Sequence, residues 1–164
     1  MWGLARSAWR PGSSAWQAVD RDLATRFPDV PTVSTAALAA RLAAGEAPLL
    51  LDARSDAEYA VSHLPGALRV DPEADAAALD SALSDVDRQR GVVVYCSVGV
   101  RSAKVAQRLH AAGFDDVANL EGSIFRWANE GRPLERDGRA AEVVHPYDAV
   151  WGRLLAPERR AAVE

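Results

Sequence analysis

The sequence predicts an α/β fold built on a mostly parallel sheet. Short apolar runs with the character of buried strands alternate along the chain with segments whose apolar residues recur at helical spacing. Strands that alternate with helices are typical of a sheet whose crossover helices make neighbouring strands parallel. With 164 residues, of which 49% are hydrophobic and 26% charged, the chain is long enough for one domain with its own core.

Five strands and six helices are predicted. In chain order they are a helix over 15–26, a strand over 32–34, a helix over 35–43, a strand within 48–52, a helix over 56–61, a strand within 64–70, a helix over 71–83, a strand over 92–95, a helix over 102–112, a strand over 117–120 and a helix over 123–129. The pattern after Pro133 defines no further element clearly.

Capping residues define several of these helix boundaries. Ser34 is placed to cap the second helix, because a serine side chain accepts a hydrogen bond from the first exposed amides. Ser55 and Glu58 have the S-x-x-E spacing of a capping box, which starts the third helix. Asp71 and Pro72 place the start of the fourth helix, since proline is favoured at a first helical position.

Composition excludes several classes of function. The net charge of −4 argues against a nucleic-acid partner, and no apolar run reaches the about 20 residues of a membrane span. One cysteine and three scattered histidines form no metal-ligand pattern, so we expect neither a metal nor a cofactor. The N-terminus carries arginines and serines with no acid before Asp20, a weak transit-peptide pattern; we expect a cytoplasmic protein instead.

Three tryptophans near the N-terminus, Trp2, Trp9 and Trp16, are spaced by seven residues. Pro11 and Gly12 interrupt a continuous helix there, so we expect the tryptophans to dock onto the domain. The alternative is a homodimer contact. The expected organisation is an N-terminal arm and helix over 1–30, a main domain over 31–134 and a C-terminal extension over 135–164 that packs on it.

The only cysteine, Cys96, stands where the strand in "VVVYCSVGVRS" ends. Sites in parallel sheets form at the carboxyl ends of strands, so Asp52, at the end of another strand, shares the crevice if the two strands are neighbours. The backbone amides after Cys96 can form a nest of donors, and the helix that follows adds its positive end. We expect this loop to stabilise a thiolate or a persulfide, although a free cysteine is more often a small buried hydrophobe. The predicted site comprises the nucleophile Cys96 and the cradle Ser97, Val98, Gly99, Val100, Arg101 and Ser102, with Asp52 shaping the site.

Three ordered motifs resemble those of single-domain rhodanese-like sulfurtransferases. "YCSVGVRS" is similar to the C-x-x-G-x-R-S active loop, "LLLDARSDAEYAVSHLPGAL" to the upstream signature, and "GFDDVANLEGSIFRWANEGRPL" to the downstream signature. Ser62 and Ser123 replace glycines usual in the family, and we expect both to be structural variants that do not contact the nucleophile.

The resemblance implies a rhodanese fold, with a five-stranded, mainly parallel sheet flanked by helices on both faces. It also implies that the Cys96 thiolate takes sulfur from a donor such as thiosulfate and passes it, through a persulfide, to cyanide or a thiol, with Arg101 helping to bind the anionic donor. A single cysteine leaves the acceptor external, as a small molecule or a protein. The apolar Val98 and Val100 favour a small or protein persulfide as donor over thiosulfate.

Two other functions are considered. Cysteine phosphatases and arsenate reductases also close an amide cradle with an arginine, but their usual spacing is C-x5-R, and Cys96 and Arg101 are spaced C-x4-R. The shorter loop suits sulfur better than a phosphoryl group. A carrier, sensor or docking module without turnover is the second alternative.

Other polar residues receive structural expectations. Asp52 either shapes the site or starts the helix that follows it. Arg54 and Glu58 are spaced to pair across one helical turn, and the resemblance implies that both are architectural. His63 is expected to bind backbone in a turn, and His145 to stay away from the site.

Overall fold

A computed structural model describes residues 13–163. It contains a five-stranded sheet in which every neighbouring pair of strands is parallel, in the order β1-β5-β4-β2-β3. The strands are β1 (Thr32–Val33), β2 (Leu49–Asp52), β3 (Leu68–Arg69), β4 (Val92–Tyr95) and β5 (Val117–Leu120). The predicted α/β class and the five-stranded parallel sheet are confirmed.

Six α-helices connect these strands or flank them. They are α1 (Ser13–Arg26), α2 (Thr35–Ala43), α3 (Asp56–Val61), α4 (Ala76–Ala82), α5 (Val100–Ala111) and α6 (Ser123–Asn129). Ser34 caps α2 by accepting a hydrogen bond from the Ala37 amide, as predicted. The predicted capping box of Ser55 and Glu58 is also present at the start of α3.

Three predicted helix starts differ from the structure, and the first is that of α1, which begins at Ser13 rather than at residue 15. Asp71 accepts a hydrogen bond from the Glu73 amide within a turn, and Asp75 caps α4 instead, so this helix begins at Ala76 rather than at Asp71 or Pro72. Helix α5 begins at Val100, two residues before the predicted Ser102, because Gly99 occupies the N-cap position.

The two faces of the sheet support separate parts of the core. Val93 and Tyr95 of β4 pack in one apolar cluster, while Val92 and Val94 pack in the other, as the alternation of side chains along a strand requires. The first cluster includes residues of α1, α2, α6 and the C-terminal segment, and the second includes residues of α4 and α5. Helices therefore cover both faces of the sheet, as expected.

Helix α1 packs on the sheet domain through Trp16, whose side chain is buried in the first cluster. The Arg126 guanidinium of α6 lies 4.5 Å from the centre of the Trp16 ring. Trp2 and Trp9 lie outside the described residues, and so do the docking predicted for these two tryptophans and the dimer contact considered as its alternative. Within 13–163, no helix has the length and apolar character that crossing a membrane requires.

The C-terminal segment forms ordered structure that the sequence pattern did not define. It contains the hairpin β6 (Leu134–Arg136) and β7 (Arg139–Ala141), followed by two 3₁₀ turns over Trp151–Leu154 and Pro157–Arg159. Val144 and Leu155 are fully buried in the first cluster. The Ser62 hydroxyl donates a 2.6 Å hydrogen bond to the Val143 carbonyl, so a residue that departs from the family pattern ties this segment to the domain.

Candidate active site

The sheet brings the predicted site residues to one edge. Strands β2 and β4 are neighbours, with Asp52 in register with Tyr95, so the residue that follows Tyr95, Cys96, starts its loop at the carboxyl end of the sheet. The expectation that Asp52 and Cys96 share one crevice if these strands are neighbours is wrong, because Asp52 is fully buried and does not line the cavity at Cys96. Their side chains have different surroundings, as described below.

The Cys96 thiol lies against a backbone donor at the start of α5. The Gly99 amide donates to Cys96 Sγ at 3.1 Å. The Ser102 oxygen lies 3.4 Å from the same sulfur, but its one hydrogen serves Asn119 Oδ1 at the shorter distance of 2.6 Å. The Gly99 amide is therefore the fixed donor to a thiolate, and the Ser102 oxygen can accept the hydrogen of a neutral thiol.

Glycine is required at position 99 for two reasons. Its φ of +122° lies in a region that other residues rarely adopt. A Cβ atom added there would lie 2.9 Å from Leu23 Cδ1 and 3.4 Å from Asn119 Nδ2, which itself donates to the Gly99 carbonyl at 2.9 Å. Gly99 is the N-cap of the 12-residue α5, so the positive end of that helix is directed at the loop that holds the sulfur.

Helix α6 holds the other side of the loop. The Ile124 and Phe125 amides donate to the Cys96 and Ser97 carbonyls, each at 3.2 Å. The Ser123 hydroxyl accepts a 3.2 Å hydrogen bond from the Cys96 amide and donates to the Leu120 carbonyl. Our expectation that Ser123 does not contact the nucleophilic residue is wrong, because its hydroxyl binds the Cys96 amide.

Arg101 is held by a carboxylate rather than left free for an anion. Its Nη1 and Nη2 donate to the two oxygens of Glu58, each at 2.8 Å, and Nη2 also donates to the Ser97 hydroxyl at 3.0 Å. Burial alone would raise the pKa of Glu58, but the hydrogen bonds from Arg101 and Ser55 and the charge of Arg101 lower it to about 2. Burial alone would lower the pKa of Arg101, and the Glu58 carboxylate and the nearby Cys96 outweigh it and raise this pKa.

The predicted pair of Arg54 with Glu58 is wrong. Arg54 turns back to Asp52, to which its Nε and Nη2 donate at 2.9 and 2.7 Å, and this leaves Glu58 free to bind Arg101. The role of Glu58 as the carboxylate that binds Ser97 and Arg101 of the active loop was therefore not predicted. The capping box that identified Glu58 used only the hydrogen bonds within its own helix turn.

Asp52 is fully buried and supports the loop through Tyr95. The Tyr95 hydroxyl donates to Asp52 Oδ2 at 2.7 Å and accepts from the Leu64 amide at 3.0 Å. Burial and the Asp52 charge both raise the pKa of Tyr95 well above its ordinary value. Asp52 thus fixes the residue before Cys96 and does not line the opening at the sulfur.

A cavity of about 250 Å³ opens at Cys96. The lining residues are Asp22, Arg26, Cys96, Ser97, Val98, Val100, Arg101, Tyr147 and Trp151. Only 2% of the surface of Cys96 is exposed, and within residues 13–163 this cavity gives a small molecule access to the thiol. Of the predicted cradle, Ser97, Val98, Val100 and Arg101 line the cavity with Cys96, whereas Gly99 and Ser102 lie behind the sulfur.

Two aromatic residues of the C-terminal segment, Tyr147 and Trp151, cover the cavity. The Arg101 guanidinium carbon lies 4.8 Å from the centre of the Tyr147 ring. His145 is absent from the lining and accepts a hydrogen bond from the Tyr147 amide through Nδ1. The sequence signal for these two lining residues was the pair of aromatic residues in "HPYDAVWG" (residues 145–152). It did not identify them as site residues, because their position in space depends on how the C-terminal segment folds back.

His63 has the structural surroundings that were predicted for it. Its Nδ1 lies 3.0 Å from the Tyr59 carbonyl, and its ring stacks on the Tyr59 ring with centres 3.8 Å apart. Within residues 13–163, no group of three or more histidine, cysteine, aspartate or glutamate side chains is placed to hold a metal ion.

The chain matches one known domain family over most of the sheet domain. The model of the rhodanese-like domain family matches residues 34–130, which include β2, the Cys96 loop and α6. The chain belongs to the rhodanese-like domain family. A protein of Allochromatium vinosum named sulfurtransferase is 34% identical over 102 residues, covering 62% of this chain and 92% of the relative.

Other similarities concern larger proteins. A tRNA uridine(34) hydroxylase of Oceanobacillus iheyensis is 37% identical over 84 residues, but the match covers only 26% of that protein. The crystal structure of thiosulfate sulfurtransferase from Pseudomonas aeruginosa matches with a TM-score of 0.61 and 24% identity, covering 80% of this chain and 25% of that one. At this identity the structural match supports the fold alone. Membership of the family and the sulfurtransferase relative support sulfur transfer as the general activity.

Proposed function

We propose that this protein is an enzyme that moves sulfane sulfur from a donor to an external acceptor through a persulfide on Cys96. One observation carries the proposal: the Gly99 amide donates a 3.1 Å hydrogen bond to Cys96 Sγ, and Cys96 lines an open cavity. An amide at a helix N-terminus stabilises negative charge on sulfur and leaves its other lone pairs available for attack.

The first step is a displacement at sulfur. The Cys96 thiolate attacks the outer sulfur of the donor, a new S–S bond forms, and the donor's own S–S bond breaks. With thiosulfate the leaving group is sulfite, and with an organic persulfide it is a thiolate. The bond electrons leave with that group, so no external oxidant or reductant is needed.

The second step needs an acceptor from outside the chain. Cys96 is the only cysteine among the 164 residues, so the persulfide has no second thiol in the same chain to attack it. Cyanide, a small thiol or a protein thiol can each take the outer sulfur and restore the Cys96 thiolate. As the S–S bond of the persulfide breaks, negative charge returns to Sγ, and the Gly99 amide stabilises it again. The same backbone amide therefore serves both steps.

Intact-mass spectrometry tests the proposal. After incubation with thiosulfate or with an organic persulfide, we expect a gain of one sulfur atom, about 32 Da, that is absent in Cys96→Ser. Cyanide should then remove that mass within the time of a turnover assay. A protein that gains no sulfur from either class of donor would refute the proposal.

The same experiment separates the enzyme from its main alternative. A carrier or sensor would gain the sulfur and retain it in the presence of cyanide and small thiols. A phosphatase activity is not favoured, because both terminal nitrogens of Arg101 bind Glu58 and no longer face a phosphoryl dianion.

A further inference from the structure

Among the described residues, the arginines that line the cavity at Cys96 are both paired with carboxylates. The Arg101 cation is matched by Glu58, and Arg26 pairs with Asp22 at 3.1 Å, so the two cations that line the cavity each have an anionic partner. A donor with two negative charges gains little from such a site, because each guanidinium already has a carboxylate at hydrogen-bond distance.

Apart from the nucleophile and Ser97, the remaining residues that line the cavity are aliphatic or aromatic. Val98 and Val100 line the side of the active loop, and Tyr147 and Trp151 line the side of the C-terminal segment. The Tyr147 ring also covers the Arg101 guanidinium at 4.8 Å, which further reduces the access of an anion to that charge. The surface that a donor meets before it reaches the sulfur is therefore largely aromatic and aliphatic.

Hydrogen bonds fix the backbone of the covering segment, residues 145–151, which carries Tyr147 and Trp151. Tyr147 has a φ of +67°, which costs free energy in a residue other than glycine, and its amide is bound by His145 Nδ1 at 3.0 Å. Asp148 Oδ1 accepts from the Val150 and Trp151 amides at 2.9 and 2.7 Å and fixes the turn that carries Trp151. These contacts hold both rings over the cavity.

We propose that Tyr147 and Trp151 determine donor specificity, so that the site selects small sulfane donors with an apolar organic group over the thiosulfate dianion. This inference rests on the proposed function, because it names the substrate class of the same site. The reaction is unchanged: with an aryl thiosulfonate, Ar–SO₂–S⁻, the Cys96 thiolate takes the outer sulfur and the sulfinate Ar–SO₂⁻ leaves.

Two donors of matched chemistry test the inference. Benzenethiosulfonate and thiosulfate deliver the same sulfur atom, but a phenyl ring in the first replaces a charged oxygen in the second. We expect kcat/KM with cyanide as acceptor to be at least about tenfold higher for benzenethiosulfonate, since an apolar pocket discriminates by about this factor per added apolar group. Added salt should change kcat/KM for benzenethiosulfonate little, because its binding does not depend on exposed charges.

Variants of the covering segment locate the effect. Tyr147→Ala and Trp151→Ala should each lower the ratio of the two kcat/KM values about tenfold, mainly through KM for benzenethiosulfonate. Tyr147→Phe retains the ring and should preserve the ratio. Val150→Ala is the matched control, because Val150 lies in the same turn but is 66% exposed and does not line the cavity.

The outcomes distinguish the inference from the proposed function. If both donors transfer sulfur and the ratio is the same in the wild type, Tyr147→Ala and Trp151→Ala, the inference is wrong and the proposed function stands. A preference for thiosulfate in the wild type would also overturn it. If neither donor places sulfur on Cys96, the proposed function itself fails.

Discussion

The negative charge with which Glu58 binds Arg101 can be removed with almost no change in the shape of the residue 58 side chain. Glu58→Gln retains an oxygen that can accept from the Ser55 amide and hydroxyl, so the cap of α3 should survive. What the substitution removes is the negative charge that two guanidinium nitrogens contact at 2.8 Å. Arg101, with only 22% of its side chain exposed, would then lose the carboxylate that binds it.

The size of the effect follows from the pKa of Glu58. Its lowering from 4.5 to about 2 corresponds to roughly 3 kcal/mol of stabilisation by the ionised carboxylate. The Glu58 side chain is only 3% exposed, so solvent screens this interaction weakly. We therefore expect Glu58→Gln to lower the free energy of unfolding by about 3 kcal/mol at pH 7.

The effect should depend on pH in one direction. Because the pKa is lower in the folded protein, the stabilisation is complete above about pH 4.5 and is lost as the pH falls towards 2. Urea unfolding of the wild type and of Glu58→Gln between pH 7 and pH 3 measures this loss as a difference in the free energy of unfolding. The difference between the wild type and Glu58→Gln should shrink by about half at pH 3, while other titrating groups affect both proteins alike.

An exposed ion pair provides the control for this experiment. Glu46 contacts Arg41 at 2.8 Å on the surface, with 56% of its side chain exposed, so Glu46→Gln should change the free energy of unfolding by less than about 1 kcal/mol. If the difference for Glu58→Gln is below 1 kcal/mol at pH 7, or is equal at pH 7 and pH 3, the ion pair of Glu58 with Arg101 does not stabilise the folded protein.

Two further predictions concern the loop and the C-terminal segment. Gly99→Ala should lower the free energy of unfolding by about 2–3 kcal/mol and abolish persulfide formation, because it displaces the amide at the sulfur. Gly113→Ala is the control, since Gly113 also has a positive φ but no atom lies within 4 Å of an added Cβ. It should cost only about 1 kcal/mol, and thermal or urea unfolding measures both variants. Equal costs for the two would contradict the role assigned to the close contact. Ser62→Ala removes the 2.6 Å hydrogen bond to the Val143 carbonyl, so it should lower the free energy of unfolding by about 1 kcal/mol. It should also speed proteolytic cleavage within 143–155, compared with Ser84→Ala at an exposed position. An unchanged cleavage rate would show that this hydrogen bond does not hold the segment.

Features set by short stretches of sequence were predicted well. The buried strands were predicted because continuous apolar runs such as those ending at Asp52 and Tyr95 are local signals. The capping box at Ser55 was predicted because its partners are three residues apart. The start of α4 was missed because Asp71 and Asp75 both carry capping signals, and only the fold determines which of them is used.

Features that join distant parts of the chain were not predicted. Glu58 is 43 residues from Arg101, and both were identified without their contact. The same holds for Ser123, whose replacement of a glycine was visible but whose bond to the Cys96 amide was not. Such contacts require the strand order, which places β2 and β5 on either side of β4 and is not encoded in any local pattern.

The sequence by itself determined the α/β class, the position of Cys96 at a strand end and the glycine that lets the loop turn, because each depends on neighbouring residues. Only the tertiary structure decided which charges are free and which surfaces face the sulfur. Glu58 neutralises Arg101, and Tyr147 and Trp151 reach the cavity from more than 40 residues beyond Cys96. The physical reason is that charge pairing and burial depend on distances in space, and packing of the C-terminal segment against the sheet fixes those distances.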